Sequence, residues 1–309
     1  MTHNTPHPTP DATACSFGLA GASWCLGEPG PWAAFEARLD ALCREARAGG
    51  ADLLFLPEYA GLEAAATLPQ AIRLPPAALF QQLQPLLPRF RQLHQDLAKA
   101  HRLTLIAGSL PVAVSPEQYL NRSYLYTPNG HESWQDKLIP TPYERRSGLI
   151  VPGTDQKVWQ TPLGPIAIVI CYDSEFPLLV RQVVSAGARL ILVPSCTDTL
   201  AGYYRVHLSC RARALENQVL VAHVPLLGGW SWCDFVDQNR GAAALCTPVD
   251  QGCPDDGLLA QSPLDQPGLL HARVDLALLE HVRRHGHVAN DADWSRQHTL
   301  PPVQVQSMA

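Results

Sequence analysis

The sequence predicts an α/β protein folded as one large domain. Two patterns carry that prediction. Short runs of branched apolar residues alternate with longer segments of helical period from Cys15 to Val224, and after Gly241 three strand-like runs follow without helices between them. The third observation is quantity: 309 residues, 46% of them hydrophobic, supply enough apolar surface for a large core. The domain is assigned to residues 15–298, between a polar, Pro-rich tail over 1–14 and a second tail over 299–309.

The first strand is read at Cys15-Ser16-Phe17-Gly18-Leu19-Ala20-Gly21, and the first helix at Trp32 to Ala48, stopped by Gly49-Gly50. Ala51 to Leu56 forms the next strand, closed by Pro57 and followed at once by Glu58. Pro85 to Ala100 reads as a helix, Leu103 to Gly108 as a strand, and Ser123 to Tyr126 as another before the Pro128-Asn129-Gly130 turn. Ile166 to Ile170 is a short, wholly apolar run, the signature of a strand buried on both faces. A helix from Pro177 to Ala186, a strand at Leu190 to Val193, a helix from Tyr203 to Asn217 and a strand at Val219 to Val224 continue the alternation. The last three strands, Ala243 to Cys246, Gly257 to Ala260 and Leu269 to Val274, are close enough in sequence to form an antiparallel meander, and Asp275 to Arg284 reads as a surface helix.

Charge and cysteine usage narrow the function. The formal net charge is -5 and no basic block occurs, so neither nucleic acid nor an anionic membrane is an expected partner; a small molecule is. Nowhere do about 18 apolar residues run together, and Met1 to Ala14 lacks the basic and apolar segments of a secretory leader. The nine cysteines are irregularly spaced, odd in number and without a CxxC pair, which reads as reduced thiols and a cytoplasmic address.

One cysteine stands apart. Cys171 lies where the run Ile166 to Ile170 stops at Tyr172-Asp173-Ser174-Glu175-Phe176-Pro177, a strand-to-helix turn. The following backbone N–H groups would point towards the sulfur and the helix dipole would favour a thiolate, making Cys171 the best nucleophile candidate. Open α/β sheets place ligands beyond the carboxyl ends of their strands. Glu58 occupies one such end, and Lys137 stands in Trp134-Gln135-Asp136-Lys137-Leu138-Ile139-Pro140. A carboxylate, an ammonium and a thiol provide a base, an oxyanion stabiliser and a nucleophile, a complete set for acyl transfer. No phosphate loop or dinucleotide fingerprint is present, so no cofactor is expected.

Leu56-Pro57-Glu58, Lys137-Leu138 with Glu144 seven residues on, Cys171-Tyr172-Asp173 with Phe176-Pro177, and Arg211 to Asn217 occur in one order. In that order and spacing they resemble the nitrilase or carbon–nitrogen hydrolase superfamily, over about residues 15 to 294. The resemblance implies a four-layer α-β-β-α sandwich, a Glu58-Lys137-Cys171 triad, Glu144 as a second glutamate, and pairing into homodimers or larger homo-oligomers. It also implies that Lys137 and the Tyr172 N–H hold the oxyanion of a thioester-forming reaction. Tyr172 and Asp173 stand where the family's nitrile hydrolysers usually carry Trp and Glu, so the expected substrate is an amide. An N-carbamoyl group is the alternative, with a nitrilase, an acyltransferase or a non-catalytic binding protein behind it.

Substrate contacts are expected from Glu175, which would attract an amine unless an arginine such as Arg181 or Arg205 pairs with it. They are also expected from the loop Ser195 to Thr199, through Thr197 and Asp198, with Asp198 alternatively capping the next helix, and from Tyr203 at the pocket rim. Gly228 to Phe235 combines glycines with three aromatics and suits a lid or an oligomer contact. His281, His285 and His287 have a spacing that can bind zinc, but a fourth ligand is lacking and Arg283 and Arg284 lie among them; no metal site is assigned.

Overall fold

In the first strand of the computed structural model, β1 (Ser16–Cys25), residues alternate between two cores: Phe17 and Leu19 join one, Ala20, Ala22 and Trp24 the other. The structure describes residues 16–68 and 74–308; Cys15 and the tail assigned to residues 1–14 lie outside them. β2 (Leu53–Phe55), β3 (Thr104–Ser115) and β4 (Gln118–Tyr126) repeat the alternation, with Leu53, Phe55, Ile106 and Leu125 facing inward and Leu54, Leu105 and Tyr126 outward. The outward side is covered by α1 (Trp32–Ala48) and α3 (Leu87–His101), through Phe35, Leu39, Phe90 and Leu97, with α2 (Pro76–Leu83) beside them.

The inward side shares its core with a second sheet. That sheet holds β6 (Val158–Thr161), β7 (Gly164–Ile168), β8 (Leu190–Ser195), β9 (Leu220–Leu227), β10 (Ala244–Cys246) and β11 (Leu258–Gln261), in that order. Its own helices are α5 (Pro177–Ser185) and α6 (Leu200–Asn217), which bury Val180, Val183, Val206 and Cys210 against it. The order of layers is therefore α-β-β-α. In the first sheet β12 (Gly268–Asp275), β1, β2, β3, β4 and β5 (Glu132–Asp136) are neighbours in that order. The two sheets meet where Trp24 and Cys25 pair in parallel with Leu226 and Leu227. Each has a parallel centre, β1-β2-β3 and β7-β8-β9, so the carboxyl ends of β2, β7 and β8 can carry one site.

Several elements depart from the sequence reading. β10 and β11 form a hairpin, but β12 does not complete a meander: it crosses to the first sheet and pairs antiparallel with β1 from Ser16↔Asp275 to Ser23↔Gly268. The connection carries Pro263 and Pro267, which disfavour a tight hairpin turn, and β1 offers an unpaired edge. The single helix expected from Pro85 begins earlier, as α2, and passes through a 3-10 turn at Gln84–Leu86 into α3. β3 runs through Pro111, which is tolerated because β2 pairs only with Thr104, Leu105 and Ile106 and leaves that flank free of β2. β5, β6 and α4 (Pro142–Ser147) were not legible as elements, being short and polar. α7 (Leu276–His285) and α8 (Asn290–Asp293) close the chain, and residues 300–308 carry no regular element. Among the described residues all eight cysteines are free thiols, and no helix is long and apolar enough to cross a membrane.

Candidate active site

Glu58 follows β2 at a sharply bent position. The next residue, Tyr59, has φ of +60° and donates its N–H to Ser109 Oγ at 2.9 Å. Gly108 makes room for this bend: it has φ of +71°, and a Cβ there would lie 2.3 Å from the Pro57 carbonyl oxygen. Lys137 follows β5, fixed by its N–H donating to the Asn121 carbonyl at 2.9 Å and its carbonyl accepting from Gly153 N–H at 2.8 Å. Glu144 sits in the first turn of α4, where a capping box links it to Thr141: the Thr141 N–H donates to Glu144 Oε2 at 2.7 Å and the Glu144 N–H to Thr141 Oγ1 at 3.2 Å. Cys171 opens a 3-10 turn over Cys171–Glu175, three residues beyond Ile168, the last ladder position of β7, with φ of +46°. A left-handed non-glycine residue is a strained position, common where a nucleophile is presented.

The four side chains converge although as many as 113 positions separate them in sequence (171 minus 58). Lys137 Nζ donates to Glu58 Oε1 and to Glu144 Oε2, both at 2.7 Å. Asn121 Nδ2 bridges the same glutamates, at 2.9 Å to Glu58 Oε1 and 3.3 Å to Glu144 Oε1, and the Tyr59 hydroxyl donates to Glu144 Oε1 at 2.5 Å. The Cys171 thiol donates to the Cys196 carbonyl at 3.7 Å, and the Glu58 carboxylate lies close enough for its charge to act on the sulfur. Glu58 and Lys137 are each only 1% exposed, Glu144 3% and Cys171 4%, so water screens none of these interactions effectively.

Burial and neighbours divide the two glutamates. Burial lifts the Glu58 carboxyl above the usual carboxylate range against the pull of Lys137, and the charge of Glu144 lifts it further. Burial acts on Glu144 too, but there the Lys137 ammonium, the Tyr59 hydroxyl and the Thr141 N–H outweigh it and hold its pKa low. Burial alone would lower Lys137; Glu144 and Glu58 reverse that and keep it well above its ordinary value. The cluster thus contains a firm anion, a firm cation and a carboxyl group poised to exchange a proton.

Cys171 corrects one expectation. Its thiol is raised well above the ordinary value by burial and then by the charge of Glu58, so a resting thiolate is disfavoured. The helix dipole gives no rescue: α5 begins only at Pro177, beyond a single 3-10 turn. The sulfur is a thiol whose proton has an adjacent acceptor in Glu58.

The profile of the carbon-nitrogen hydrolase family matches residues 31–284. The chain belongs to the carbon–nitrogen hydrolase family. It is 32% identical over 221 residues to the probable hydrolase YhcX of Bacillus subtilis, covering 72% of this chain and 43% of that protein. It is 30% identical over 142 residues to the deaminated glutathione amidase of Rattus norvegicus, covering 46% and 40%. The chain thus spans about two fifths of the length of these two relatives. Its fold is that of the solved structure of Saccharomyces cerevisiae Nit3, a member of the nitrilase superfamily, with a TM-score of 0.69 at 20% identity over 87% of this chain and 94% of that one.

Other residues take places that the sequence reading missed or placed elsewhere. Glu175 faces Arg205 at 3.6 Å, one of the two arginines named as partners, whereas Arg181 pairs with Asp291. Thr197 is committed to Arg240, its hydroxyl donating to the Arg240 carbonyl at 2.9 Å, and Asp198 is exposed. The α6 cap is Thr199, whose Oγ1 accepts from Gly202 N–H at 3.1 Å, rather than Asp198. Tyr203 is 4% exposed, packed on His207 and His223, and its hydroxyl accepts from Gln261; it belongs to the interior under α6 rather than to a rim. The aromatic loop closes against the site: Phe235 packs on Tyr59 and Tyr143, and the Asp234 carbonyl accepts from the Tyr143 hydroxyl at 3.0 Å. Of the histidines weighed for zinc, His281 and His285 lie with ring centroids 5.0 Å apart while His287 faces Asp250 at 3.7 Å. Asn121, Tyr59 and Cys196 had no sequence signal beyond adjacency to a motif or membership of a strand.

Proposed function

We propose that the chain is a cysteine-dependent hydrolase of a small-molecule, non-peptide amide. The observation that carries this reading is the Lys137 ammonium held between Glu58 and Glu144, at 2.7 Å from each, beside the Cys171 thiol. Amidase activity in the name of the Rattus norvegicus relative supports the choice of bond.

In this reading Glu58 takes the thiol proton as Cys171 Sγ attacks the amide carbonyl carbon. The carbonyl electron pair moves onto oxygen, where Lys137 and the Tyr172 backbone N–H hold the developing negative charge. As the intermediate collapses, the protonated Glu58 passes its proton to the leaving nitrogen, the C–N bond breaks, and an acyl thioester remains on Cys171. Glu58 then takes a proton from water, which attacks the thioester; the C–S bond breaks, the carboxylic acid leaves, and the proton returns to sulfur. Glu144 remains ionised throughout and keeps Lys137 oriented, so transfer at one carboxylate never strips the ammonium of its partner.

Pairing with Arg205 partly cancels the charge of Glu175, so a neutral amide fits this site better than an amine-bearing one. Self-association is assigned to the outer face of α5 and α6, where Leu178, Tyr204, Leu208 and Leu215 are exposed.

The test is an acyl adduct. Incubated with short-chain amides, the protein is expected to release ammonia and to show by mass spectrometry an acyl mass on the peptide containing Cys171, both absent in Cys171→Ala. Ammonia release that survives in Cys171→Ala would overturn the assignment.

A further inference from the structure

The Cys171 turn and the Lys137 loop come from different parts of the chain, yet an amide oxygen can be held only if the sulfur and the ammonium keep a fixed separation. One side chain joins them directly. Asp173 Oδ2 accepts the Leu138 N–H at 2.9 Å and Oδ1 accepts the Ile139 N–H at 2.8 Å, so both oxygens are engaged by the two residues that follow Lys137. The backbone of Asp173 is itself anchored in the Cys171 turn, its N–H donating to the Ile170 carbonyl at 3.0 Å and its carbonyl accepting from Phe176 N–H at 3.2 Å. Asp173 is 2% exposed and, among the described residues, makes no ion pair. A buried carboxylate with no ion-pair partner in contact is costly, and its two backbone bonds offset part of that cost.

We propose that Asp173 is a positioning residue, whose carboxylate clamps the backbone after Lys137 to the turn bearing Cys171 and so sets the Lys137 ammonium against the sulfur. The proposal rests on the amidase reading above, because the separation it fixes matters only if both groups serve one reaction. Asp173 and Leu138 each stand in a segment that the sequence singles out, but the bonds run to backbone N–H groups, so no side-chain pattern joins the two segments.

The clamp has its own titration. Burial lifts the Asp173 carboxyl to about 7, against the two N–H donors and the charge of Lys137, with Glu58 adding to the rise. Other ionisable groups packed around the turn are Cys171 itself, Cys196 after β8, and Cys210 and Arg213 on α6; Arg213 is bound to the Ser174 and Glu175 carbonyls. Below that pH one oxygen becomes a hydroxyl and can no longer accept as a carboxylate does, so the clamp loosens.

The experiment compares wild type with Asp173→Asn across pH 5 to 9, with activity normalised to the number of Cys171 thiols titrated. Asn offers one acceptor oxygen and an NH2 group that only donates, so like the neutral acid it keeps a single carbonyl acceptor. Above pH 8 the variant is expected to lose about 10²-fold in kcat with KM within about twofold, the scale of a misplaced catalytic group. The wild-type to variant ratio should then shrink towards unity as the pH falls below about 7, because the wild-type side chain becomes neutral too. A ratio that stays constant with pH, or a loss confined to KM, overturns the proposal and leaves the amidase reading intact. If wild type hydrolyses no amide, that reading fails separately, and alkylation of Cys171 by iodoacetamide decides the clamp. Slower alkylation in the variant above pH 8, from a displaced Lys137, supports it; equal rates overturn it. Should Asp173→Asn not fold, the same two comparisons are made with Asp173→Ser, whose single hydroxyl cannot accept from both amides.

Discussion

At the scale of single residues the division between Glu58 and Glu144 matters most. Both touch Lys137 at 2.7 Å, yet only Glu144 also receives the Tyr59 hydroxyl and the Thr141 N–H. These two further hydrogen bonds hold Glu144 ionised, while Glu58 is left with a raised pKa and a thiol as its neighbour. Glu58 can accept the thiol proton only when ionised, so the acid limb of kcat/KM is expected above the ordinary carboxylate range, with activity rising as pH increases through it. A pH–rate profile checks this; a limb at or below the ordinary glutamate value would contradict the assignment. Glu58→Gln keeps the shape but cannot exchange the proton, and should lower kcat by about 10² to 10⁴. Rapid-quench mass spectrometry should show any acyl adduct that forms in that variant persisting longer, because the deacylating water has lost its base.

At the scale of elements, the site depends on turns that side chains alone could not hold. The bend placing Glu58 needs Gly108, since a Cβ would meet the Pro57 oxygen at 2.3 Å and the Ala60 Cβ at 2.9 Å, on a backbone whose φ is +71°. Gly108→Ala is expected to destabilise the fold by about 1–3 kcal/mol, through strain at a left-handed position, and to reduce kcat by moving Glu58 away from Lys137. Urea denaturation measures the first effect and steady-state kinetics the second. Unchanged values in both would mean that the turn can relax without disturbing the carboxylate. The aromatic loop adds a wall to the same region, because Phe235 packs on Tyr59, whose hydroxyl is bound to Glu144.

At the scale of the whole molecule, the two sheets bury their facing sides together, and α5 and α6 carry four of the exposed large apolar residues. Tyr204, Leu208 and Leu215 follow one another at helical spacing along α6 at 50%, 58% and 44% exposure, beside Leu178 of α5 at 71%. The proposed self-association predicts a homodimer or a multiple of it by light scattering after size-exclusion chromatography. Leu208→Asp, which places a charge in that stripe, should shift the population towards the monomer with its thermal transition largely retained. A wild-type protein that is monomeric at all concentrations would refute that use of the face.

By itself the sequence determined the alternation of helix and strand, the two-sided burial around Ile166 to Ile170, and the chemical types available at three strand ends. These follow from local periodicity and from where an apolar run stops, which are properties of neighbouring residues. Short polar elements such as β5 and α4 escaped that reading because their placement comes from sheet pairing and a capping box rather than from apolar period. The path of β12 escaped it because strand partners depend on which edge is free in three dimensions. The Cys171 thiol was expected to be acidified by a helix and is instead raised by burial, since desolvation depends on everything packed around the sulfur. Asn121 beneath the two glutamates and Asp173 across the Lys137 loop were decided only by tertiary structure: each acts through atoms brought from distant segments, and no spacing along the chain encodes that distance.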